Sequence, residues 1–564
     1  MSAPSRAGAW KIAIAQLNPT VGDLAGNRRL IEEFALRAAQ AGAGLVVFPE
    51  LALTGYPPMD LLEREGFVRD QLRALEALAG VSRRIPLALG AALPVKDAPP
   101  QRAALHNAAV LLADGARRAV QPKSLLPTYD VFDEKRYFAA ASHRKLVELN
   151  GLQIGLSVCE DAWACELGYR GHADPVAELA AAGADLILNL SASPWHAGRS
   201  AERRRIFCEL AARCRVPVIF ANQVGGNDEL IFDGASFAVD AAGRLRASLP
   251  LFEPALEITD LESAPALQPG GVCDPEPEAQ LESALVLGIR DYFHKQGLRP
   301  GAVVGLSGGI DSAVTAWLAV RALGPEGVLG VAMPGPFSSQ HSLRDAHALG
   351  RGLGIEVREA DIRPLYREYR ALFAGLFGAR EDYGIAQQNI QSRIRGAILM
   401  AVSNAEGRLV LATGNKSELS LGYCTLYGDT VGGLAVLGDV FKRDVYALAR
   451  RANRAGECIP ESTIAKPPSA ELAPGQLDTD DLPPYELLDA VLEQAIERGR
   501  GAAGIAEALA REPGPAATPE AIAGIVRRLD QSEYKRRQAP LVLRVSPKAF
   551  GAGRRLPIVH RYAL

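Results

Sequence analysis

The sequence is poor in the features that mark secreted, membrane or nucleic-acid-binding proteins. It has only seven cysteines, an odd number without a CxxC pair, which argues against a disulfide framework or a zinc ribbon. Free thiols and a cytoplasmic location are therefore expected. No run of about 18 apolar residues and no apolar signal core occur, so neither a membrane span nor a leader is predicted. The net charge of −3 gives no attraction to nucleic acid or an anionic membrane.

What the chain does contain is enough apolar sequence for large cores. Apolar residues make up 48% of its 564 residues, a length typical of about two to four domains. Short apolar segments such as WKIAIAQ and LQIGLSV alternate with helical patterns, which predicts α/β layers. Residues 259–280 are rich in Pro, Gly and acidic side chains, and we interpret them as a linker between domains at 10–258 and 281–564.

One loop in the second half has the composition of a phosphate site. An apolar strand runs into SGGIDS, and a helical pattern follows. Glycines let backbone N–H groups approach an anion, and the helix N-terminus favours negative charge. The alternative is a glycine turn that binds nothing. The residues of this predicted phosphate site are Gly305, Leu306, Ser307, Gly308, Gly309, Ile310, Asp311 and Ser312.

SGGIDS resembles the pyrophosphate loop of the N-type ATP pyrophosphatases, which cleave ATP between the α- and β-phosphates and adenylate an acceptor. Three later segments resemble those of NAD synthetases, and a fourth resembles their second phosphate-contacting loop. The four segments are QNIQSRIR (388–395), LVLATGNKSELSLGYCTLYGD (409–429), SEYKRRQAP (532–540) and MPGPFSSQHS (333–342).

By this resemblance residues 305–312 and Thr413 bind ATP, while Asn389, Glu418 and Lys535 contact deamido-NAD. Asp311 and Glu418 are the candidate ligands of Mg²⁺ among the phosphates. The sequence departs from the family in the Gly-Pro-Phe of MPGPFSSQHS and in having Arg443 where Thr is common.

Amidation of a carboxylate needs a better leaving group than oxide, which adenylation supplies, and cations then neutralise the departing pyrophosphate. Lys416, Lys442 and Arg443 are candidates for this role, with solvated surface charges as the alternative. The proline-rich stretch at 464–486 is too polar for a core, and we interpret it as a mobile active-site loop.

In the first half, three reactive side chains follow predicted strands. Glu50 follows LVVFP, Lys123 follows VQP, and Cys159 follows LQIGLSV. Taken singly, each fits an ordinary buried or surface position. Together they resemble the catalytic set of the nitrilase/amidase superfamily. The resemblance implies that Cys159 is the nucleophile, Glu50 the general base and Lys123 the oxyanion donor.

Other polar residues near these segments are candidates for supporting or binding roles. Glu134 and Glu160 are candidates for tuning the reactive groups electrostatically. In the glutaminase branch of the superfamily, the positions of Tyr129, Ser193 and Arg199 hold glutamine, with Arg199 facing its α-carboxylate.

The order of the two halves resembles the glutamine-dependent NAD synthetase family over nearly the whole chain. The resemblance implies an α/β protein with an N-terminal nitrilase-like αββα sandwich. The C-terminal part would then be a doubly wound parallel sheet of the N-type ATP pyrophosphatase (adenine nucleotide α-hydrolase-like) class. The implied substrates are glutamine, ATP with Mg²⁺, and deamido-NAD. A homo-oligomer and an internal ammonia tunnel are also implied.

Three other interpretations compete with this one: ATP-dependent amidation of a different acid, an amidase with a nucleotide-sensing second half, and a non-enzymatic scaffold. The 409–429 and 532–540 segments argue against the first. The intact SGGIDS loop argues against the second. The presence of Glu50, Lys123 and Cys159 argues against the third.

Overall fold

The computed structural model describes residues 11–96, 104–166, 169, 174–261, 264–267, 274–299, 301–511 and 517–560. The chain forms two compact units, Met1–Pro275 and Glu276–Leu564. Residues 262–263 and 268–273 of the predicted linker lie outside the described residues. The same holds for residue 10 and residues 561–564, at the outer ends of the predicted domains. A strand that ends at Asp260 and a helix that begins at Pro277 extend into the described ends of 259–280.

The first unit is built from two six-stranded sheets and a short hairpin. Its strands β1–β14 are Lys11–Gln16, Leu45–Val47, Leu87–Pro94, Leu105–Ala113, Ala116–Pro122, Leu146–Leu149, Leu152–Val158, Leu186–Ser191, Val218–Asn222, Val224–Asn227, Leu230–Asp233, Phe237–Val239, Leu245–Ser248 and Ala255–Asp260. One sheet has the order β14-β1-β2-β3-β4-β5 and the other β13-β12-β9-β8-β7-β6, while β10 pairs with β11. Helices α1–α4 are Leu24–Gln40, Glu65–Val81, Pro175–Ala181 and Arg199–Cys214.

Alternation of apolar side chains along the strands produces the layers of this unit. Ile12 and Ile14 point into a core shared with Leu188 of the second sheet, whereas Ala13 packs on the opposite side with Phe34 of α1. The outer face of the second sheet is covered in the same way by residues of α3 and α4. Helices therefore cover both outer faces of two stacked sheets, which confirms the predicted αββα sandwich.

The second unit contains one parallel sheet and many helices. Strands β15–β20 are Ala302–Leu306, Val328–Ala332, Glu356–Glu359, Leu409–Ala412, Leu434–Ala435 and Leu541–Val542. Helices α5–α16 are Pro277–Gln296, Ile310–Leu323, Gln340–Leu353, Arg363–Phe377, Ile385–Glu406, Lys416–Leu421, Lys442–Ala452, Glu461–Ala465, Tyr485–Leu492, Ala502–Leu509, Pro519–Gln531 and Glu533–Arg536. Short 3₁₀ turns lie at Met59–Glu63, Glu134–Arg136, Cys159–Ala162, Pro325–Gly327, Asn453–Ala455 and Asp478–Asp480, and a π-helical turn lies at Glu493–Glu497.

The strand order β17-β16-β15-β18-β19-β20, with parallel pairing throughout, is that of a doubly wound sheet. The strands from β15 to β17 extend the sheet in one direction, and those from β18 to β20 extend it in the other. The switch point therefore lies between β15 and β18, and ligands of such folds bind there, outside the carboxyl ends of the strands. The predicted fold class is confirmed for this unit also. No helix in the described ranges is long and apolar enough to span a membrane.

Candidate active sites

The first unit brings its three predicted catalytic residues together at strand ends. Glu50 follows β2, Lys123 follows β5 and Cys159 follows β7. The Nζ atom of Lys123 lies 2.9 Å from Oε1 of Glu50 and 2.8 Å from Oε1 of Glu134. The amide of Asn107 donates to the same Glu50 oxygen at 2.6 Å, and the backbone N–H of Ala192 donates to Glu50 Oε2 at 2.9 Å. Glu50 is therefore held in one orientation by donors on both of its oxygens.

Glu134 contacts the site directly rather than tuning it from a distance. Its Oε1 atom also accepts a hydrogen bond from the Tyr56 hydroxyl at 2.8 Å, while its Oε2 atom is buried without a hydrogen-bond partner among the described residues. Burial raises the pKa of Glu134 to about 7, although Lys123 opposes this shift. Burial alone would lower the pKa of Lys123, but Glu134 and Glu50 outweigh it and the pKa is raised. The site thus keeps a protonated lysine between two buried carboxyl groups.

Cys159 sits on a tight elbow that a nearby carboxylate stabilises. Its φ of +42° is uncommon for a residue with a side chain. The Oδ2 atom of Asp161 accepts the N–H of Val158 at 3.2 Å, and its Oδ1 atom accepts the N–H groups of Ser124 and Leu125 at 2.9 Å each. Asp161 therefore ties the residues next to Cys159 to those that follow Lys123. Burial, followed by the charge of Glu50, raises the pKa of the Cys159 thiol, and Lys123 partly opposes this shift.

Two of the three residues predicted to bind glutamine contact the turn at Cys159, and the third follows β8. The hydroxyl of Tyr129 donates to Oε1 of Glu160, the residue after Cys159, at 2.8 Å. The guanidinium of Arg199 lies 4.1 Å from the ring centre of Trp163, which ends the 3₁₀ turn that begins at Cys159. Ser193 is buried shortly after β8, and its N–H donates to the Asn222 side chain at 2.9 Å.

In the second unit, SGGIDS forms the predicted strand–loop–helix turn. β15 ends at Leu306, and α6 begins at Ile310. Gly308 has a φ of +75°, and a Cβ atom there would lie 2.3 Å from the carbonyl oxygen of Ser342. Only glycine allows the loop to lie this close to the start of α7.

This loop lines a cavity of about 470 Å³ at the switch point of the sheet. Every predicted loop residue except Gly308 lines it, and so do Thr413, Asn389, Glu418 and Lys535. The Asn389 side chain accepts the Thr425 hydroxyl at 2.8 Å. Lys535 donates to the carbonyl oxygens of Gly422 and Cys424 at 2.7 and 2.8 Å.

An ammonium and two carboxyl groups face each other in the cavity. The Nζ atom of Lys442 lies 2.6 Å from Asp311 Oδ2 and 3.2 Å from Glu418 Oε1. Asn415 supports both acids, because its side-chain amide donates to Asp311 Oδ1 at 2.7 Å and its N–H donates to Glu418 Oε2 at 3.3 Å. Burial raises the pKa of Glu418 to about 8, with Lys442 opposing. Burial lowers the pKa of Lys442, but Asp311 and Glu418 outweigh it and the pKa is raised.

Two of the three candidate phosphate cations occupy other positions. Lys416 is fully buried, 3.0 Å from Asp439 and 2.9 Å from Glu497, so it is neither a cavity residue nor a surface charge. Arg443 pairs with Glu493 at 2.7 Å. Neither is among the described residues that line the cavity, whereas Lys442 is.

The proline-rich stretch at 464–486 contributes to the cavity wall through Lys466 and Glu471. Lys466 lies 2.6 Å from Glu471, whose carboxylate accepts the Ser342 hydroxyl at 2.8 Å and the Ser339 N–H at 3.1 Å. The stretch therefore lies beside the cavity, and its mobility stays a prediction.

Comparison with known proteins decides the family. The carbon-nitrogen hydrolase model matches residues 11–265, and the NAD synthase model matches residues 281–539. The chain is 44% identical over 561 residues to the glutamine-dependent NAD(+) synthetase of Synechocystis sp., covering 98% of this chain and 99% of the relative. The chain belongs to the glutamine-dependent NAD(+) synthetase family. Like its curated relatives, which include a Thermotoga maritima protein at 39% identity over 592 residues (98% of this chain, 99% of that protein), it is an enzyme of the ligase type.

Solved structures of glutamine-dependent NAD(+) synthetases agree with this assignment. The Acinetobacter baumannii enzyme, determined with ADP, is 36% identical with a TM-score of 0.74, covering 97% of this chain and 98% of that one. The Cytophaga hutchinsonii enzyme has a TM-score of 0.81 over 98% of both chains, and at 21% identity it supports the fold alone. The predicted family and overall function are confirmed, and the scaffold and sensor alternatives are excluded.

Sequence reasoning missed the residues that hold the reactive groups in place. Asn107 and Asp161 act through contacts between distant strands, for which the sequence carries no local signal. Asn415 could have been found, because Asn followed by Glu three residues later is the pattern of a helix capping box, and these two residues do cap α10.

Proposed function

We propose that the chain synthesises NAD from deamido-NAD, ATP, glutamine and water, releasing AMP, pyrophosphate and glutamate. The observation that carries this proposal is the presence in one chain of two built sites. One is a buried Cys159–Lys123–Glu50 set, and the other is a large cavity at the switch point of a doubly wound sheet.

In the first unit, the Sγ atom of Cys159 attacks the side-chain amide carbon of glutamine and forms a thioester as ammonia leaves. Glu50 accepts the thiol proton and passes it to the leaving nitrogen, which departs as ammonia. It then takes a proton from the water that hydrolyses the thioester and returns it to the Cys159 sulfur when glutamate leaves. Lys123 donates to the oxyanion of each tetrahedral intermediate. Its position between Glu50 and Glu134 supports this role, because the pair keeps the ammonium charged and fixed in a buried site.

Glutamine recognition is assigned to Tyr129, Ser193 and Arg199. The contacts of Tyr129 with Glu160 and of Arg199 with Trp163 support this assignment, since Glu160 lies in the turn that Cys159 begins and Trp163 caps that turn. Arg199 would leave its exposed partner Glu202, 2.8 Å away, for the substrate α-carboxylate.

In the second unit, residues Gly305–Ser312 and Thr413 bind ATP, and Asn389, Glu418 and Lys535 bind deamido-NAD. The nicotinate carboxylate attacks the α-phosphorus of ATP, pyrophosphate leaves, and ammonia then displaces AMP from the mixed anhydride. Lys442 stabilises the charge that develops on the leaving pyrophosphate. Its location on the wall of the same cavity as the SGGIDS loop supports this role.

The site also fits Mg²⁺, which would be held by Asp311 and Glu418. Both offer hard carboxylate oxygens on the cavity wall, and among the described residues each oxygen accepts one hydrogen bond. The described residues contain no cluster of three or more His, Cys, Asp or Glu side chains suited to a metal. Two carboxylates suffice for Mg²⁺, which binds nucleotides largely through phosphates and water. When bound, it supplies charge neutralisation to the phosphates.

We also propose the domain limits 10–258 and 281–564 joined by the linker 259–280, a homo-oligomeric assembly and a cytoplasmic location. Two compact units and two family matches support the division of the chain.

The proposed function is tested by substrate dependence. Purified protein is incubated with ATP, Mg²⁺ and deamido-NAD, with glutamine or ammonium as nitrogen source, and NAD, AMP and pyrophosphate are quantified. Equal amounts of all three products from either source are expected. Hydrolysis of ATP without NAD, or NAD formation that does not need deamido-NAD, would contradict the proposal.

A further inference from the structure

Helix α11 carries Lys442 at its first position but provides no cap of its own. The preceding residue, Phe441, has no side-chain acceptor for the free N–H groups of the first turn. Two polar side chains from other helices take that place. The N–H of Lys442 donates to the Ser417 hydroxyl at 3.0 Å, and the N–H of Arg443 donates to Asp489 Oδ2 at 3.0 Å.

Asp489 also connects the two helices that meet in the cavity. The Ser417 hydroxyl donates to Asp489 Oδ1, so one carboxylate holds α10 and the start of α11 at once. Ser417 and Asp489 are both fully buried. Because α10 also carries Glu418, this link sets the spacing between the backbones of Lys442 and Glu418.

Helix α13, which carries Asp489, also contacts the ammonium end of Lys442. Tyr485 lies one turn before Asp489 on α13, and the centre of its ring lies 5.0 Å from Lys442 Nζ. The Tyr485 hydroxyl is anchored on Asp478 at 2.8 Å. Residues of α13 therefore contact both the first turn of α11, where Lys442 begins the helix, and the ammonium end of the Lys442 side chain. Helix α13 is distant from the SGGIDS loop in sequence.

We propose that Asp489 is a positioning residue that fixes the location of the Lys442 ammonium in the cavity. The proposal rests on the proposed role of Lys442 at the leaving pyrophosphate. Asp489 acts through backbone and hydroxyl contacts and does not line the cavity among the described residues. A displaced Lys442 would bind ground-state ATP nearly as well but would stabilise the transition state less.

The experiment measures adenylation alone, as deamido-NAD-dependent exchange of labelled pyrophosphate into ATP. Asp489→Leu removes both acceptors and keeps the branching at Cγ, whereas Asp489→Asn keeps an acceptor for Arg443 N–H and a contact to Ser417. The matched control is Glu282→Leu, because buried Glu282 holds the other end of α11 through Arg451 at 2.6 Å. Ser417→Ala is a milder second variant that breaks the same link if Asp489→Leu does not fold.

We expect Asp489→Leu to lower kcat for exchange by about 10-fold or more while KM for ATP changes less than about threefold. Asp489→Asn should keep at least about a third of the wild-type kcat. Ser417→Ala should lower kcat by about threefold or more, whereas the control Glu282→Leu should leave kcat within about twofold of the wild type. Equal losses in the Leu and Asn variants, a loss no larger than in Glu282→Leu, or a rise in KM with unchanged kcat would overturn the inference. Absence of exchange in the wild-type chain would instead overturn the proposed function.

Discussion

The Nζ atom of Lys123 lies 2.9 Å from the Oε1 atom of Glu50, and neither side chain is more than 1% exposed. Removal of one partner of such a buried ion pair destabilises the folded protein, since the other partner is left as an uncompensated buried charge. Glu134 on the other side of Lys123 gives the ammonium a second partner. Because the charge of Glu50 also helps to raise the pKa of Glu134, removal of that charge favours ionised Glu134, which then keeps Lys123 charged.

Glu50→Gln is expected to abolish glutamine use without affecting the second unit. Glutamine-supported NAD formation should fall by about 10²- to 10⁴-fold, because the general base is lost while Lys123 remains paired. Ammonium-supported formation should stay within about twofold of the wild type. Both rates are measured with Glu63→Gln, an exposed carboxylate of the same unit, as the control. An equal loss with both nitrogen sources would count against the assignment of Glu50.

The raised pKa of Glu134 predicts a pH-dependent stability effect. Between its ordinary value near 4.5 and about 7, the folded state holds a proton on Glu134 that the unfolded state has lost. The contribution of this group to the free energy of unfolding therefore falls as pH rises through this window. Glu134→Gln removes this dependence.

The stability of Glu134→Gln relative to the wild type should increase from pH 5 to pH 8, by roughly 1–3 kcal/mol. Denaturant unfolding of both proteins at the two pH values checks this, with Glu63→Gln as the control for removal of a carboxylate. If the difference in unfolding free energy between the variant and the wild type stays constant or shrinks with rising pH, burial does not raise the pKa of Glu134.

Gly308→Ala should disable ATP use. The new Cβ would meet the Ser342 carbonyl oxygen at 2.3 Å and would also be strained at a φ of +75°. We expect the pyrophosphate-exchange rate to fall by at least about 50-fold, since the loop must move to relieve the clash. Gly324→Ala is the matched control, because its φ of +78° is nearly the same but no atom lies within 4 Å of the added Cβ. Equal losses in the two variants would mean that backbone strain, rather than the close approach to Ser342, is responsible.

Lys416→Met should lower stability rather than catalysis. Removal of this buried ammonium leaves Asp439 and Glu497 without their cation, at a cost of about 3–5 kcal/mol. The KM for ATP of the folded fraction should stay within about twofold, since Lys416 is not a cavity residue. Thermal unfolding and exchange kinetics measure the two effects. A large rise in KM for ATP with unchanged stability would contradict this structural role and indicate that Lys416 binds phosphate.

The sequence predicts the fold of this chain, and it predicts which residues lie together at the two candidate sites, because both depend on short local patterns. Strand ends followed by Glu50, Lys123 or Cys159, and a strand followed by SGGIDS, are visible within ten residues. The supporting contacts are not visible in this way. Asp161 joins two strand ends, and Asp489 joins two helices more than 40 residues away. Lys416 and Lys442 each begin a helix, and only the packing of α10 and α11 shows that one is structural and the other faces the cavity.

The central claim is that one chain holds a glutamine-hydrolysing site and a separate amidating site. The most direct test is NAD formation by Cys159→Ala with glutamine or ammonium, alongside Cys165→Ala, which changes an exposed cysteine of the same unit. The account predicts that Cys159→Ala loses glutamine-supported NAD formation and keeps the ammonium-supported rate, while Cys165→Ala keeps both. Retention of the glutamine-supported rate in Cys159→Ala, or loss of both rates in the folded variant, would contradict it.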